Sequence, residues 1–175
     1  LSLVLRYAHK PVVTGAFAIE TLHIMREMLV VEAGGEEALK ERPRAIFDIC
    51  PSPPLLWSEI TCQNLIDCAC YLLPAELISM PLAGATAPTT LVGTLTQHTA
   101  EDLSGLVIHQ LVQPGAPIVY GGSPAIFDMR RGTTPMAAIE TVMIDCAYTQ
   151  IGKHLGLPTH AYLGMSDAKV LDGQM

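Results

Sequence analysis

Between residues 45 and 129 the chain has no lysine and no arginine, although seven acidic residues lie there. The flanking segments are balanced, with six basic and six acidic side chains in 1–44 and four of each in 130–175, so the whole formal charge of −7 belongs to the middle. A nucleic-acid backbone needs clustered Lys and Arg, so nucleic acid is excluded as a partner. A small cation fits such a field better, although chance and an apolar interface between copies would account for it too. Long hydrophobic runs are also missing. Every 18-residue window contains a charge or a proline, and the most apolar stretch, 65–84, carries Asp67, Pro74, Glu76 and Pro81, so no membrane span is expected.

Several signatures of known chemistry are absent. No GxGxxG follows the first strand and no GxxxxGK[ST] occurs, which argues against a nucleotide phosphate cradle. No GxSxG occurs, so a hydrolase elbow is unsupported. There is no basic leader and residue 1 is Leu, from which a piece of a longer protein is expected, while the cysteine usage points to a cytoplasmic one. The five cysteines, at 50, 62, 68, 70 and 146, are odd in number and lack the spacing of a disulfide framework. They are read as reduced thiols, with no metal site. A zinc site would require ligands converging from distant segments.

What is present is apolar: 50% hydrophobic residues, 15% charged and a mean hydropathy of +0.36. This suits one domain, 1–175, with a sizeable core. Short β-branched or apolar runs begin near 11, 44, 77, 117 and 158. Each of the first four is followed by a helical stretch: 18–33, a helix opened by Ser58 and ending before Pro74, one from about Pro88 broken near 98, and one starting at Thr134–Pro135 and closing at Gly152 or Gly156. Spacings of 33 to 41 residues are those of parallel βα units. A complete five-stranded doubly wound sheet and a partial (β/α)8 TIM-type barrel of about five units both fit. All five post-strand segments are rich in Gly, Pro and small residues, among them Cys50-Pro-Ser-Pro-Pro54 and Gly121-Gly-Ser-Pro124. That favours the barrel, in which every such loop faces one mouth.

Candidate site residues follow from this placement. Phe17, Phe47, Tyr120 and Tyr162 lie on or just after strands, and aromatic faces hold methylated ammonium groups by cation–π attraction. Asp48 lies in an apolar strand, where an unpaired carboxylate is costly, so it faces the mouth or pairs with an arginine. His160 ends the fifth strand as a site group or a core histidine. The other histidines, 9, 23, 98, 109 and 154, fall on helices or chain ends and are given no role.

The stretches Met80-Pro-Leu-Ala-Gly-Ala-Thr-Ala-Pro88, Gly115-Ala-Pro-Ile-Val-Tyr-Gly-Gly122 and Leu157-Pro-Thr-His-Ala-Tyr162 resemble the trimethylamine methyltransferase family. The resemblance covers most of 75–172. It implies a (β/α)8 barrel of which this chain is a central fragment. It also implies methyl transfer from trimethylamine, or a quaternary amine such as glycine betaine, to the cobalt of a corrinoid (cobalamin) carried by a partner protein. Pyrrolysine, which members acting on trimethylamine carry, would lie outside these residues. On this resemblance Tyr120, Gly121, Gly122, Asp128, His160 and Tyr162 are substrate or corrinoid contacts, with Ser166, Asp167, Lys169 and Asp172 in second rank; no catalytic acid or base is assigned. A homo-oligomer is expected. The alternatives are an unrelated doubly wound enzyme and a non-catalytic fragment whose open sheet edges aggregate.

Overall fold

The computed structural model describes residues 1–162. Helix α1 (Ser2–Tyr7) is followed by β1 (Val12–Thr14), α2 (Ile19–Ala33), α3 (Glu36–Glu41), β2 (Ala45–Ile49), α4 (Glu59–Tyr71) and β3 (Ala75–Leu77). Then come β4 (Leu82–Ala83), α5 (Leu91–Val112), β5 (Ile118–Tyr120), β6 (Ala125–Ile126) and α6 (Ile139–His154).

The main sheet runs β1-β2-β3-β5 with every pair parallel. A bridge between Tyr120 and Thr159 places the chain that follows α6 beside β5. The order advances one way. Among the described residues it never reverses, so the switch point at which a doubly wound sheet binds its ligand is absent. Right-handed crossovers that advance one way put their helices on one face, and here α2 packs on α4, α4 on α5 and α5 on α6. The sheet is open. The chain is thus α/β with parallel units.

Alternation along β2 creates two faces. Ala45, Phe47 and Ile49 are buried, and with Ala75 and Leu77 of β3 they join Leu22, Leu29, Leu65, Cys68 and Leu73 in one apolar cluster. Burying each large side chain there contributes roughly 1.5–3 kcal/mol. A smaller cluster of Tyr120, Ile144 and Tyr148 lies under α5 and α6. The opposite, open face presents Val13, Ile46, Asp48, Glu76 and Val119, and Val13 is 44% exposed.

Helix ends follow local chemistry. The Ser58 hydroxyl accepts the Thr61 N–H at 3.2 Å, the expected cap of α4. Thr90 does the same for α5 through the Gly93 N–H, and α2 stops at Gly34 in the left-handed region, φ 85°.

Four expectations change. Helix α5 runs unbroken through 98, because His98 is fully buried and its ring fills space between Gly122 and Tyr148. β3 starts at Ala75 rather than Leu77, the polar Glu76 having masked its first residues. Helix α6 starts at Ile139, not Pro135, since the Pro135 carbonyl first closes a turn onto the Ala138 N–H. The fifth strand is reduced to the single bridge at Thr159. Beyond β3 and β5 the pairing continues in register: Leu77 lies opposite Tyr120, and Leu82 opposite Ala125. Main-chain bonds from Gly121, Ser123, Ala125 and Phe127 to Leu77, Ser79, Pro81 and Ala83 join the two stretches. Among the described residues no helix is long and apolar enough to cross a membrane.

Candidate functional site

Asp48 and Glu76 sit opposite each other on β2 and β3, so both carboxylates rise from the same open face. The chain after α6 brings two more groups onto them. His160 Nδ1 lies 2.5 Å from Glu76 Oε1, and the Tyr162 hydroxyl donates to Asp48 Oδ2 at 3.4 Å. The His160 and Tyr162 rings are adjacent, with centroids 5.2 Å apart. Glu76 is enclosed, at 1% exposure, whereas the His160 side chain is 41% exposed and open to an incoming molecule. Asp48 Oδ1 is buried without a hydrogen-bond partner among the described residues. Among the described residues Asp48 has no arginine partner, in keeping with the absence of Lys and Arg between 45 and 129.

Burial and crowding set the protonation of this group. The Asp48 carboxyl is pushed up to about 6, first by burial and then by the negative charge of Glu76, against the pull of the Tyr162 hydroxyl and His160. Glu76 is also raised by burial, with His160 opposing. Burial and both carboxylates push Tyr162 up to about 12, and the same influences raise the neighbouring Cys50 thiol to about 11. Tyr162 is therefore a neutral donor and Cys50 an unreactive thiol at neutral pH.

Support comes from close packing beneath. A Cβ at Gly121 would lie 2.5 Å from Glu76 Oε1 and 2.9 Å from the Leu77 carbonyl, and one at Gly122 would lie 2.1 Å from His98 Nε2. Only glycine fits at both positions. Glu101 of α5 ties the loops after β2 and β3 together: it accepts the Leu55 N–H at 2.8 Å and the Ser79 hydroxyl. Its neighbour Gln97 donates to the Thr86 carbonyl at 2.9 Å.

Of the residues singled out in the sequence, His160 and Tyr162 meet Asp48 on the open face, with Gly121 and Gly122 packed below. Tyr120 points the other way. It is 1% exposed in the helix layer, its hydroxyl donating to Thr99 at 3.3 Å. Phe47 is likewise buried among the helices, and Phe17 is 92% exposed. Asp128 closes a surface turn, its Oδ1 accepting the Arg130 and Arg131 N–H groups at 2.9 and 3.2 Å. Ser166, Asp167, Lys169 and Asp172 lie outside the described residues. Sequence reasoning passed over Glu76 and His98. Glu76 is a carboxylate inside an apolar run, the same signal that marked Asp48. His98 and His109, which were given no role, are both fully buried. The five cysteines are free, and among the described residues no cluster of three His, Cys, Asp or Glu could hold a metal ion.

Comparison with known proteins places the chain in a family. The family described as trimethylamine methyltransferase (MTTB) matches residues 2–175. The trimethylamine methyltransferase MttB of Methanosarcina barkeri (strain Fusaro) is 38% identical over 156 residues, 89% of this chain and 32% of that protein. The MttB of Desulfitobacterium hafniense (strain DCB-2) is 36% identical over 148 residues, 85% of this chain and 30% of its own length. The glycine betaine methyltransferase of D. hafniense (strain Y51) is 31% identical over 148 residues, 85% of this chain and 31% of its length. The chain thus spans about a third of the length of these relatives. With a match from residue 2 to residue 175, the chain belongs to the trimethylamine methyltransferase family.

Proposed function

We propose that the polypeptide containing this chain takes a methyl group from a tertiary or quaternary methylated amine and hands it to a corrinoid carried by a partner protein. The observation that carries the reading is the open face itself, where two carboxylates, a partly exposed imidazole and a tyrosine ring converge in a chain of this family. Relatives named for trimethylamine and for glycine betaine bracket the substrate class. The one-way strand order, with helices on one face, supports closure into a (β/α)8 barrel whose interior this face would line. A cytoplasmic setting is part of the same reading.

A reduced corrinoid held over this face would supply the nucleophile for the methyl carbon; the electron pair of the broken N–C bond would stay on nitrogen, a quaternary amine leaving as a neutral tertiary amine and trimethylamine, reacting as its N-protonated form, as dimethylamine. The residues of this chain bind and orient. Asp48, ionised above about pH 6, lends its negative charge to the face that would hold the ammonium centre. The Tyr162 ring offers its negative π face to the N-methyl groups, worth about 0.5–2 kcal/mol. Glu76 fixes the orientation of His160. These groups contribute proximity and a complementary field.

The test mixes the whole polypeptide with cob(I)alamin and, separately, trimethylamine and glycine betaine, following formation of methylcob(III)alamin by its visible spectrum. Methylation with one amine, lost in Asp48→Asn, is the expected result. No methylation with either amine, with free corrinoid or a corrinoid protein, would overturn the proposal.

A further inference from the structure

Two buried side chains on the helix side grip the main chain of the candidate site from behind. Tyr148 of α6 is fully buried, with its hydroxyl 2.8 Å from the Gly122 carbonyl oxygen and 3.2 Å from that of His160. His98 of α5 is equally buried, and its Nε2 lies 3.1 Å from the Gly121 carbonyl oxygen. A carbonyl only accepts, so Nε2 carries the proton, leaving Nδ1 without a partner among the described residues. The two rings stack with centroids 4.5 Å apart.

We propose that Tyr148 is a positioning residue for His160, acting through the His160 carbonyl, while His98 holds the Gly121–Gly122 turn on which Glu76 is seated. The main chain of His160 is held on both sides: its N–H donates to the Tyr120 carbonyl at 3.1 Å, and its C=O shares the single Tyr148 hydroxyl proton with the nearer Gly122 carbonyl. Its side chain meets Glu76 from the opposite face of the sheet. Without the hydroxyl the peptide is fixed on one side only, and the imidazole is free to turn away from Glu76. A phenylalanine would fill the same volume without burying a hydroxyl, so packing alone does not call for tyrosine here. The hydroxyl instead joins the turn after β5 to the segment bridged beside it at Thr159, at the level where Glu76 and His160 meet. His98 completes the support, because its ring occupies the place a Cβ at 122 would need and Gly121 lies directly against the Glu76 carboxylate.

The consequence for turnover rests on the proposed methyl transfer, but the geometry has its own test. In the whole polypeptide, with histidine labelled by ¹⁵N, the hydrogen-bonded Nδ1 proton of His160 gives a downfield resonance, assigned by its disappearance in His160→Gln. Tyr148→Phe is expected to abolish that resonance or speed its exchange with water at least tenfold. Thr99→Val removes another hydroxyl of the same helix layer, one that accepts from Tyr120, and is expected to leave the resonance as it was. In turnover, Tyr148→Phe should lower kcat about tenfold with KM little changed, the signature of misplacement rather than lost binding. An unchanged His160 resonance in a folded Tyr148→Phe protein overturns the inference. Should that variant not fold, site-specific 3-fluorotyrosine at 148, which strengthens the donor, must shift the resonance; if it does not, the inference is equally overturned. Absence of methyl transfer in the unsubstituted protein would count against the proposed function and leave the resonance test standing.

Discussion

Phe47 and Asp48 are neighbours in the chain and face opposite sides of one sheet. Phe47 is wholly buried in the cluster with Leu22, Leu29 and Leu65, where area removed from water accounts for its contribution. Asp48 is half-buried beside a second carboxylate, one oxygen has no partner among the described residues, and its carboxyl is pushed up to about 6 by burial and by Glu76. The face of β2 that Phe47 occupies is thus apolar and adds to stability, while the face that Asp48 occupies carries a carboxylate pair. Under the proposed function, that carboxylate pair is what meets the positive charge of the substrate.

The comparison breaks most visibly under truncation of each residue. Phe47→Ala is expected to cost about 3–5 kcal/mol, read from the urea midpoint of the whole polypeptide. Asp48→Asn is expected to leave that midpoint at pH 8 unchanged or higher, while abolishing methyl transfer. A fall matching that of Phe47→Ala would mean that Asp48 is a structural residue and that the two faces do not differ in kind.

Gly121→Ala tests the seam between the faces. Its Cβ would press on the Glu76 carboxylate and on the Leu77 carbonyl, so a loss of about 1–3 kcal/mol is expected. The same change should displace Glu76 and lower turnover beyond the effect on folding. A variant as stable and active as the parent would show that the glycine is not needed there.

A change of pH sharpens the contrast, because its effects on binding and on folding run in opposite directions. Affinity for tetramethylammonium, which does not titrate, should be level above pH 7 and fall about tenfold per pH unit well below pH 6, as Asp48 takes up its proton. Isothermal titration calorimetry would check this, with Asp48→Asn giving a flat profile. The folded-state value is raised from 3.8 to about 6, so the protonated group favours folding. That contribution is full below pH 3.8 and disappears as the pH rises through 6. Asp145 is raised in the same way, so the difference between parent and Asp48→Asn isolates the site. The smallest effect is away from both faces: Ser58→Ala should cost about 1 kcal/mol by removing the cap of α4, seen as a lower thermal midpoint with activity intact.

The parallel βα rhythm was legible because β-branched runs and helical periodicity recur at regular intervals, and the cap at Ser58 because its side chain acts on its own neighbours. The order of the strands is not a local property and had to come from the fold. Asp48, His160 and Tyr162 stood out as polar or aromatic groups at strand ends. Glu76 carried the same signal but was hidden by the reading of β3 as starting one residue after it. Tyr120 was placed at the mouth by its position on the strand, yet alternation turns it toward α5 and α6, and one residue of phase decides which. His98 and Tyr148 are helix residues whose importance depends on carbonyls 23 and 26 residues away, Gly121 and Gly122. No periodicity reveals such contacts.

The uninterrupted register that carries β3 into β4 and β5 into β6 has an evolutionary consequence. Segments 78–81 and 121–124 are bonded rung to rung, so one residue gained in either would turn every side chain beyond it to the wrong face and detach β4 from β6. Insertions and deletions are tolerable where no ladder runs, as in the turns between β6 and α6. Within the two paired segments, length can change only by matched steps in both at once, and their lengths should therefore drift far more slowly than their sequences.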